Sequence, residues 1–434
     1  MPSVRRLPRR APGIGVFAAE TRRNSAARIA ELEHMSIALA PSPTPITRPP
    51  LIRWLAVVAV MLGIFSIVTT EILPIGLLTS IGSDFTISDG MAGLMMTLPG
   101  LLAAIAAPLV TVAAARVDRR LLLCGCTLLL VIANVVAATA PEFWVVLASR
   151  VLIGITVGGY WSIAAGLAGR LVPPESANRA TAVIFSSVPL GSVLGVPAGT
   201  FIGHLAGWRT AFVVLAVLSA VVLALLASAL PSLPAEQAMS VTSLRIGLGG
   251  TAVRIALLAT FFVVLAQFGT YTYVTPFLEQ VTDVSAGTIT VLLLIYGVAG
   301  IAGNFLGGTL LGRPRTALGC AATAMAAAML SLPLLGRWEL GAVALLIVWG
   351  IGYGGIPVVL QTWFADALPD APEVASVLFT ASFQATFCAG ALVGGVLVDR
   401  TSPSTVLLCG GATALLVLLI TSGVIDARRV RRAG

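Results

Sequence analysis

Lysine is absent from the 434-residue sequence, and charged residues of all kinds make up only 10% of it. A nucleotide-binding P-loop of the form GxxxxGK[ST] requires a lysine, which excludes ATP-driven pumping by this chain. Soluble domains carry about 25% charged residues, so a surface this poor in charge cannot face water. The sequence also lacks HExxH zinc motifs, GxSxG nucleophile elbows and paired intramembrane aspartates, and an intramembrane enzyme therefore has no support.

Cysteine is scarce, and its spacing argues against a metal site. All five cysteines fall in or beside apolar blocks, and the CxC at 124–126 supplies too few ligands for zinc. We interpret them as small packing residues and expect neither a metal nor an organic cofactor.

Apolar residues are abundant, at 58% of the sequence with a mean hydropathy of +1.01. The apolar blocks reach the roughly 20 residues that a helix needs to cross a bilayer core. They do not alternate with polar residues as the strands of a membrane barrel would. We therefore predict an all-α membrane protein with twelve transmembrane helices. The predicted spans are 54–80, 90–114, 121–140, 143–168, 178–205, 209–230, 254–278, 286–311, 316–336, 339–365, 373–398 and 404–425.

The arginines predict the orientation of these spans. The odd-numbered loops carry only Arg209, Arg337 and Arg400, whereas the two tails and the even-numbered loops carry all the others except Arg150. By the positive-inside rule, both termini are cytoplasmic, and we expect a multi-pass protein of the cell inner (plasma) membrane.

The predicted organisation has five parts. They are a disordered cytoplasmic tail (1–52), a six-helix half (53–230), a cytoplasmic linker (231–252), a second six-helix half (253–426) and a basic tail (427–434). The first 50 residues lack the apolar run of a signal peptide. An organelle transit peptide and a start at Met35 remain alternatives for this tail.

The two halves repeat one another. At a shift of 196, RVLIGITVGGYW (150–161) falls on LIVWGIGYGGIP (346–357), and three glycines of each coincide. At a shift of 197, Ser88 and Gly90 fall on Ser285 and Gly287. A repeat of six spans gives both halves the same orientation, which is an architecture of secondary transporters with a substrate site at the midplane between the halves.

Three stretches carry a resemblance to a known family. They are TEILPIGLLTSIGSDFTIS (70–88), LASRVLIGITVGG (147–159), and GSVLGVPAGTFIG (191–203) followed by GWRTAF (207–212). They resemble the first-, fourth- and fifth-span motifs of major facilitator superfamily transporters of the twelve-span drug:proton antiporter type, and the resemblance covers 53–425. It implies the major facilitator fold and proton-coupled export of a small organic compound, such as a drug, sugar or nucleoside, by alternating access.

The loop between spans 2 and 3 departs from the family pattern. The family has Asp-Arg-x-Gly-Arg-Arg there, and this chain has AARVDRR (114–120). Aligning the arginines places Ala115 where the acidic residue belongs. The resemblance implies a cytoplasmic gate loop here, whether or not Asp118 replaces the missing acid. Its residues are Arg116, Asp118, Arg119 and Arg120.

Two charged residues lie inside predicted spans, Glu71 in span 1 and Arg150 in span 4. At 1.5 Å per residue, both lie about 12–14 Å from the same end of the bundle. Intramembrane ionisable residues are functional candidates because they cost several kcal/mol. We predict a proton-coupling pair, in which moving Arg150 away lets Glu71 take a proton. The alternative is that Arg150 caps backbone carbonyls and Glu71 reaches outward.

Other polar and aromatic side chains in the spans are candidates for a neutral, aromatic-lined substrate cavity. Hydrogen bonding between helices is the alternative for each polar one. The candidates are Trp161, Gln267, Tyr271, Tyr273, Asn304, Gln361 and Gln384.

The fifth-span motif forms a ridge of glycines four residues apart, a pattern that permits close helix contact. The corresponding positions of span 11 include Phe387 and Asp399, so the ridge belongs to the first half only. Span 8 offers a facing run of small residues over 300–308. We predict that the ridge is the sliding contact between the halves at the outer gate. Its residues are Gly191, Gly195, Pro197, Gly199 and Gly203.

The nearest alternative function is a uniporter or a proton symporter for uptake on the same fold. A channel or receptor does not account for a two-fold repeat with matched glycines. The expected partners are a small-molecule substrate, protons and the lipid bilayer. We expect a monomer that binds no nucleic acid and uses the proton gradient as its energy source.

Overall fold

A computed structural model describes residues 49–113, 117–164, 167–234, 247–309, 313–369 and 371–422. Within these ranges the chain is helical and contains no strand, and twelve helices are long and apolar enough to cross a membrane. Several predictions lie outside the described residues: Arg116 of the gate loop, nearly all of the N-terminal tail, most of the linker and the basic C-terminal tail.

The first half contains spans 1 to 6. A short helix, Ala168–Leu171, and a 3-10 turn, Pro174–Ser176, lie between spans 4 and 5. The helices of the spans, in order, are Pro50–Ile72 continued by Pro74–Asp84 (span 1), Asp89–Ala92 and Leu94–Ala113 (span 2), Arg119–Ala138 (span 3), Phe143–Ala164 (span 4), Ala177–Ala206 (span 5) and Trp208–Ala229 (span 6).

The second half contains spans 7 to 12. Their helices, in order, are Thr251–Tyr271 continued by Val274–Gln280 (span 7), Ala286–Thr309 (span 8), Pro314–Leu335 (span 9), Glu339–Gly354 continued by Ile356–Ala367 (span 10), Pro372–Arg400 (span 11) and Pro403–Thr421 (span 12).

Proline explains where the long spans are interrupted. Span 1 breaks at Leu73, directly before Pro74, and span 7 breaks just before Val274, two residues ahead of Pro276. Proline has no N–H to donate to the carbonyl four residues earlier, and its ring crowds that carbonyl. The two prolines are repeat-related, so each half begins with a broken span.

The packing confirms two pseudo-symmetric halves. In the first half, span 1 packs on span 5, span 2 on span 4, and span 3 on span 6. The second half repeats this with spans 7 and 11, 8 and 10, and 9 and 12. The halves meet mainly where span 2 packs on span 11 and span 5 on span 8. We call the end of the bundle with loops 1–2, 3–4, 5–6, 7–8, 9–10 and 11–12 the odd-loop end, and the other the even-loop end.

Candidate functional site

Glu71 and Gln384 join the two halves inside the bundle. Glu71 lies in the last turn of helix Pro50–Ile72 and is 8% exposed, and Gln384 lies in the middle of span 11 and is 6% exposed. The amide nitrogen Nε2 of Gln384 donates a hydrogen bond of 2.8 Å to Oε1 of Glu71. Glu71 was predicted to act in proton coupling and Gln384 to line the substrate cavity, and the structure brings the two together.

Arg150 is fully buried, and it binds the carbonyl that a proline leaves free. Its Nη1 donates a hydrogen bond of 3.0 Å to the backbone oxygen of Thr70. In an unbroken helix this oxygen would accept from residue 74, but Pro74 has no N–H. The guanidinium carbon also lies 4.9 Å from the centre of the Phe212 ring, within the range of a cation–π contact.

Glu71 and Arg150 do not contact each other directly. Among the described residues no ion pair joins them, although their charges interact electrostatically. Each has another hydrogen-bond partner: the Gln384 amide donates to the Glu71 carboxylate, and the Arg150 guanidinium donates to the Thr70 carbonyl. The other guanidinium nitrogens, Nε and Nη2, donate to no described residue. Carbonyl capping by Arg150, the alternative stated above, is thus present in this conformation, and the coupling role stays a prediction.

Gln267 and Tyr271 belong to a closed hydrogen-bonded cluster in the second half. Gln267 Nε2 donates to the hydroxyl of Tyr296, and Trp349 Nε1 donates to Gln267 Oε1, both at 2.8 Å. The Tyr271 ring stacks on Tyr296 with ring centres 4.5 Å apart. All four side chains are buried. The structure therefore places both candidates in helix packing, the alternative stated for Gln267.

Tyr273 lies between the halves near the odd-loop end. Its hydroxyl donates a 2.7 Å hydrogen bond to the backbone oxygen of Ala391. A Cβ atom on Gly93 of span 2 would lie 2.0 Å from this hydroxyl, and one on Gly395 of span 11 would lie 2.6 Å from it. Glycine is therefore needed on both sides of the ring, and Tyr273 fills the contact between spans 2 and 11.

The three remaining cavity candidates are dispersed. Trp161 is half-buried, with its ring centre 6.3 Å from that of Phe185. Asn304 is half-buried and Gln361 is exposed, and the amide of neither bonds to another described residue. The described contacts join none of the three to Glu71.

A cluster of aromatic side chains in the second half includes Phe383 and Phe387, which lie close to Gln384 along span 11, and the sequence did not predict this cluster. The Phe268 ring centre is 4.1 Å from that of Phe387 and 5.9 Å from those of Phe383 and Tyr353. Tyr353 also interacts electrostatically with Glu71. We call Phe268, Tyr353, Phe383 and Phe387 the aromatic group. Phe383 and Phe387 flank Gln384 in the sequence, a signal that could have indicated part of it.

The glycine ridge of span 5 does not contact the second half, so that prediction is wrong. A Cβ atom on Gly195 would lie 3.2 Å from Ile72 Cγ1, and one on Gly199 would lie 2.8 Å from Leu73 Cγ. Gly191 and Gly203 likewise face Val68 and Leu77 of span 1. The ridge lets span 5 approach the broken part of span 1, in the same half. Pro197 lies inside the unbroken helix Ala177–Ala206.

The small residues of span 8 also pack within their own half. Gly303 and Gly307 approach the backbones of Ile351 and Gly355 of span 10. The close contact between spans 5 and 8 lies elsewhere, where a Cβ atom on Gly297 would be 2.9 Å from Val193 Cα. Spans 5 and 8 therefore come close at Val193 and Gly297, while the glycines of the ridge face span 1.

A group of hydrogen bonds seals the odd-loop end. Asp399 at the end of span 11 accepts from Ser88 Oγ at 2.6 Å and from the Gly90 amide at 2.8 Å. Thr79 donates to Glu279 at 2.9 Å, again from the first half to the second. We call these contacts, made by Thr79, Ser88, Gly90, Glu279 and Asp399, the odd-end seal. Gln280 also donates to Asp89 at this end, and deeper in the bundle Thr275 donates to the Ile75 carbonyl.

Asp118 of the gate loop binds the chain that follows span 6. It accepts hydrogen bonds from the Ser232 hydroxyl and from the amides of Leu233 and Arg120. Partial burial alone would raise the pKa of Asp118, but these hydrogen bonds outweigh it and lower the pKa below its usual value. Arg120 also donates to the Ala227 carbonyl. The described contacts of Asp118 hold the start of the linker to the first half, not to the second.

Comparisons with known proteins agree with this architecture. Residues 54–384 match the model of the Major Facilitator Superfamily. The chain is 33% identical over 386 residues to the transcription regulatory protein OpdE of Pseudomonas aeruginosa, covering 88% of this chain and 96% of that protein. It is 30% identical over 385 residues to the purine ribonucleoside efflux pump NepI of Escherichia coli K12, with the same coverage of both.

Two solved structures share the fold. The human organic anion transporter MFSD10 superposes with a TM-score of 0.65 at 16% identity, covering 86% of this chain and all of that one. A bacterial homologue of the human lysosomal transporter Spinster, in an inward-facing and unoccupied conformation, superposes with a TM-score of 0.63 at 17% identity, covering 86% and 96%.

Proposed function

Because the chain belongs to the major facilitator superfamily, a family of membrane transporters, we propose that it is a proton-coupled antiporter that exports a small organic molecule. The observation that carries this proposal is the position of Glu71. It is the one buried carboxylate among the described residues, and it lies at the contact between the halves. Burying an ionised carboxylate in this position costs several kcal/mol of free energy, and binding a proton removes the charge and with it this cost.

Alternating access requires that one end of the bundle closes while the other opens. The odd-end seal closes one end in this conformation. The positive-inside rule assigns the arginine-rich even-loop end to the cytoplasm. The described conformation is then inward-facing, the state in which an exporter collects its substrate.

A nucleoside is the substrate class that we favour among the three expected from the sequence. The name of the NepI relatives supports this choice, as does the aromatic group beside Glu71. Aromatic rings stack on planar bases, and amide and carboxylate groups bind their polar edges. Secondary transporters built from two such halves bind their substrates near the midplane between them, and the Glu71–Gln384 pair joins the two halves.

Proteoliposomes test the proposal. With an acidic lumen, an antiporter accumulates radiolabelled guanosine, inosine or adenosine against its gradient, and we expect Glu71→Gln to abolish this accumulation. Glu142→Gln, which changes an exposed carboxylate at the odd-loop end, is the matched control and should leave transport unchanged. Accumulation driven only by an acidic exterior would instead indicate a symporter. Equilibration that ignores the pH gradient would indicate a uniporter, and either result refutes antiport.

A further inference from the structure

We propose that Gln384 turns its amide when Glu71 is protonated, and that the ionised pair selects planar molecules with adjacent N–H donors. This inference rests on the proposed function and names the chemistry of its substrate. Two oxygen atoms of the pair make no hydrogen bond to a described residue, and a ligand could donate to both.

The pair uses only one atom of each side chain. Gln384 Nε2 binds Oε1 of Glu71, while the second oxygen of Glu71 and the amide oxygen of Gln384 accept from no described residue. Both side chains are more than nine-tenths buried, but each of these two oxygens keeps some accessible surface. A largely buried acceptor gains most from a donor that reaches it, so the two oxygens favour a ligand that donates to both.

Gln267 shows what a structural glutamine looks like in the same half. Its oxygen and its nitrogen are both engaged, by Trp349 and Tyr296 respectively, and turning its amide would break both hydrogen bonds. The Gln384 side chain makes one hydrogen bond, from its nitrogen to Glu71. If the amide turns, its oxygen can take the place of the nitrogen and no other hydrogen bond breaks. The same residue type is therefore fixed at one position and free to turn at the other.

The charge of Glu71 determines which way the Gln384 amide faces. An ionised carboxylate only accepts hydrogen bonds, so Gln384 must offer it the NH₂ group and turn its oxygen to the open side. The open side then presents two acceptors, one from each residue. Their complement is a ring edge with two neighbouring N–H groups, such as the N1–H and exocyclic NH₂ of a guanine base.

Protonation reverses this pattern. A proton taken from water forms an O–H bond on Glu71, and this O–H can donate to Gln384 only if the amide turns by half a revolution. The terminal torsion of glutamine is broad and two-fold, so both orientations are accessible. The NH₂ group then faces the open side and opposes an N–H donor of the substrate. Proton uptake thus releases the substrate without moving the backbone.

Two other groups influence Glu71 from the helices packed around it. They are Arg150 of span 4 and Tyr353 of span 10. Arg150 is bound to the Thr70 carbonyl and leaves the carboxylate to Gln384. The hydroxyl of Tyr353 bonds to no described residue and is a third group that a bound ring can contact.

Binding to the purified full-length protein in nanodiscs tests the inference. Three probes differ only at the base edge: guanosine offers two adjacent donors, inosine offers one ring N–H, and adenosine offers an NH₂ group beside an acceptor. We expect affinity to fall in that order at alkaline pH, by roughly tenfold from guanosine to adenosine. Guanosine binding at lower pH should also release protons into a weakly buffered solution.

Variants of Gln384 separate its role from packing. Gln384→Leu, and Gln384→Met in case leucine impairs folding, should narrow the spread of the three affinities about threefold and lessen the proton release, since Glu71 then binds the base alone. The exchanged double variant Glu71→Gln with Gln384→Glu keeps a carboxylate–amide pair and should recover the preference for guanosine. Thr323→Val, at an exposed polar residue of the same half, is the control and should resemble the wild type.

Each outcome has a distinct meaning. If Gln384→Met leaves the guanosine preference and the proton release unchanged from the wild type, the amide is not involved and the inference is wrong. If the wild type binds none of the three nucleosides, the proposed substrate chemistry is wrong. Failure of the antiport proposal appears separately, as a wild type whose nucleoside transport in proteoliposomes ignores the pH gradient.

Discussion

A methyl group added at Gly90 should open the odd-loop end of the transporter. Gly90 lies in the first turn of span 2, inside the odd-end seal, where a Cβ atom would be 2.4 Å from both Oδ2 of Asp399 and the backbone oxygen of Gly395. Ordinary contacts of a Cβ atom begin near 3.4 Å, so the two spans must separate by about 1 Å. In a conformation that is open at the odd-loop end, the halves part here and we expect the methyl group to meet no other atom.

The magnitude follows from the contacts that are lost. The hydrogen bonds to Asp399, at 2.6 Å from Ser88 and 2.8 Å from Gly90, lengthen by about the same 1 Å and leave the hydrogen-bonding range. Overpacking typically costs about 1–3 kcal/mol, and the two hydrogen bonds contribute at the lower end because Asp399 is exposed. A shift of about 1–3 kcal/mol changes the ratio of closed to open molecules about 5- to 150-fold.

The repeat supplies the control. Gly287 corresponds to Gly90 at the start of span 8, yet the nearest atom to its added Cβ is Ser285 Oγ at 3.8 Å. Alanine is a better helix former than glycine by about 1 kcal/mol, and Gly287→Ala should therefore be neutral or slightly stabilising.

Electron–electron distance measurements provide the assay. Spin labels at Thr139 and Arg337, exposed positions at the odd-loop end of the first and second halves, report the separation of the halves. In a background without the native cysteines, Gly90→Ala should add a longer-distance population that Gly287→Ala lacks. Identical distance distributions in the two variants would refute the assignment of the seal.

Three further predictions concern residues outside the seal. Asp118→Ala should accelerate hydrogen–deuterium exchange of the Leu233 amide several-fold, since that amide donates to Asp118. In the wild type the lowered pKa keeps this contact at neutral pH and releases it only as the pH falls below the usual range of an aspartate. Gln267→Leu should destabilise the protein by about 1–3 kcal/mol in thermal unfolding, because it leaves the hydrogen-bonding groups of its two aromatic partners unpaired. Gly195→Leu should abolish transport while the protein still inserts, since its side chain displaces span 1.

Each of these has a control at a residue of the same or a similar type. Glu175→Ala changes an exposed carboxylate at the even-loop end, and Gln361→Leu changes an exposed glutamine. Gly125→Leu adds a side chain where no atom lies within 4 Å of a new Cβ. Unchanged exchange at the Leu233 amide, unchanged unfolding or unimpaired transport in the test variants would contradict the respective contact.

The span arrangement was predictable because a bilayer imposes strong local rules. Apolar runs of sufficient length mark the twelve spans, and matched glycines reveal the two halves. The capping of Thr70 by Arg150 was also within reach, since Pro74 identifies which carbonyl loses its donor. The pairing of Glu71 with Gln384 was not, because these residues are 313 positions apart and no local pattern relates them.

The glycine ridge shows how a correct pattern can be assigned to the wrong neighbour. A ridge of glycines indicates that another helix comes close, but not which helix. Here the neighbour is span 1, and a Cβ atom on Gly195 would lie 3.3 Å from Thr69 Cα, two residues before Glu71. Because the ridge fixes this segment within the first half, Glu71 moves with that half as a unit. Gln384 lies in the other half, so we expect motion of the halves to change the Glu71–Gln384 hydrogen bond, and through it the protonation of Glu71.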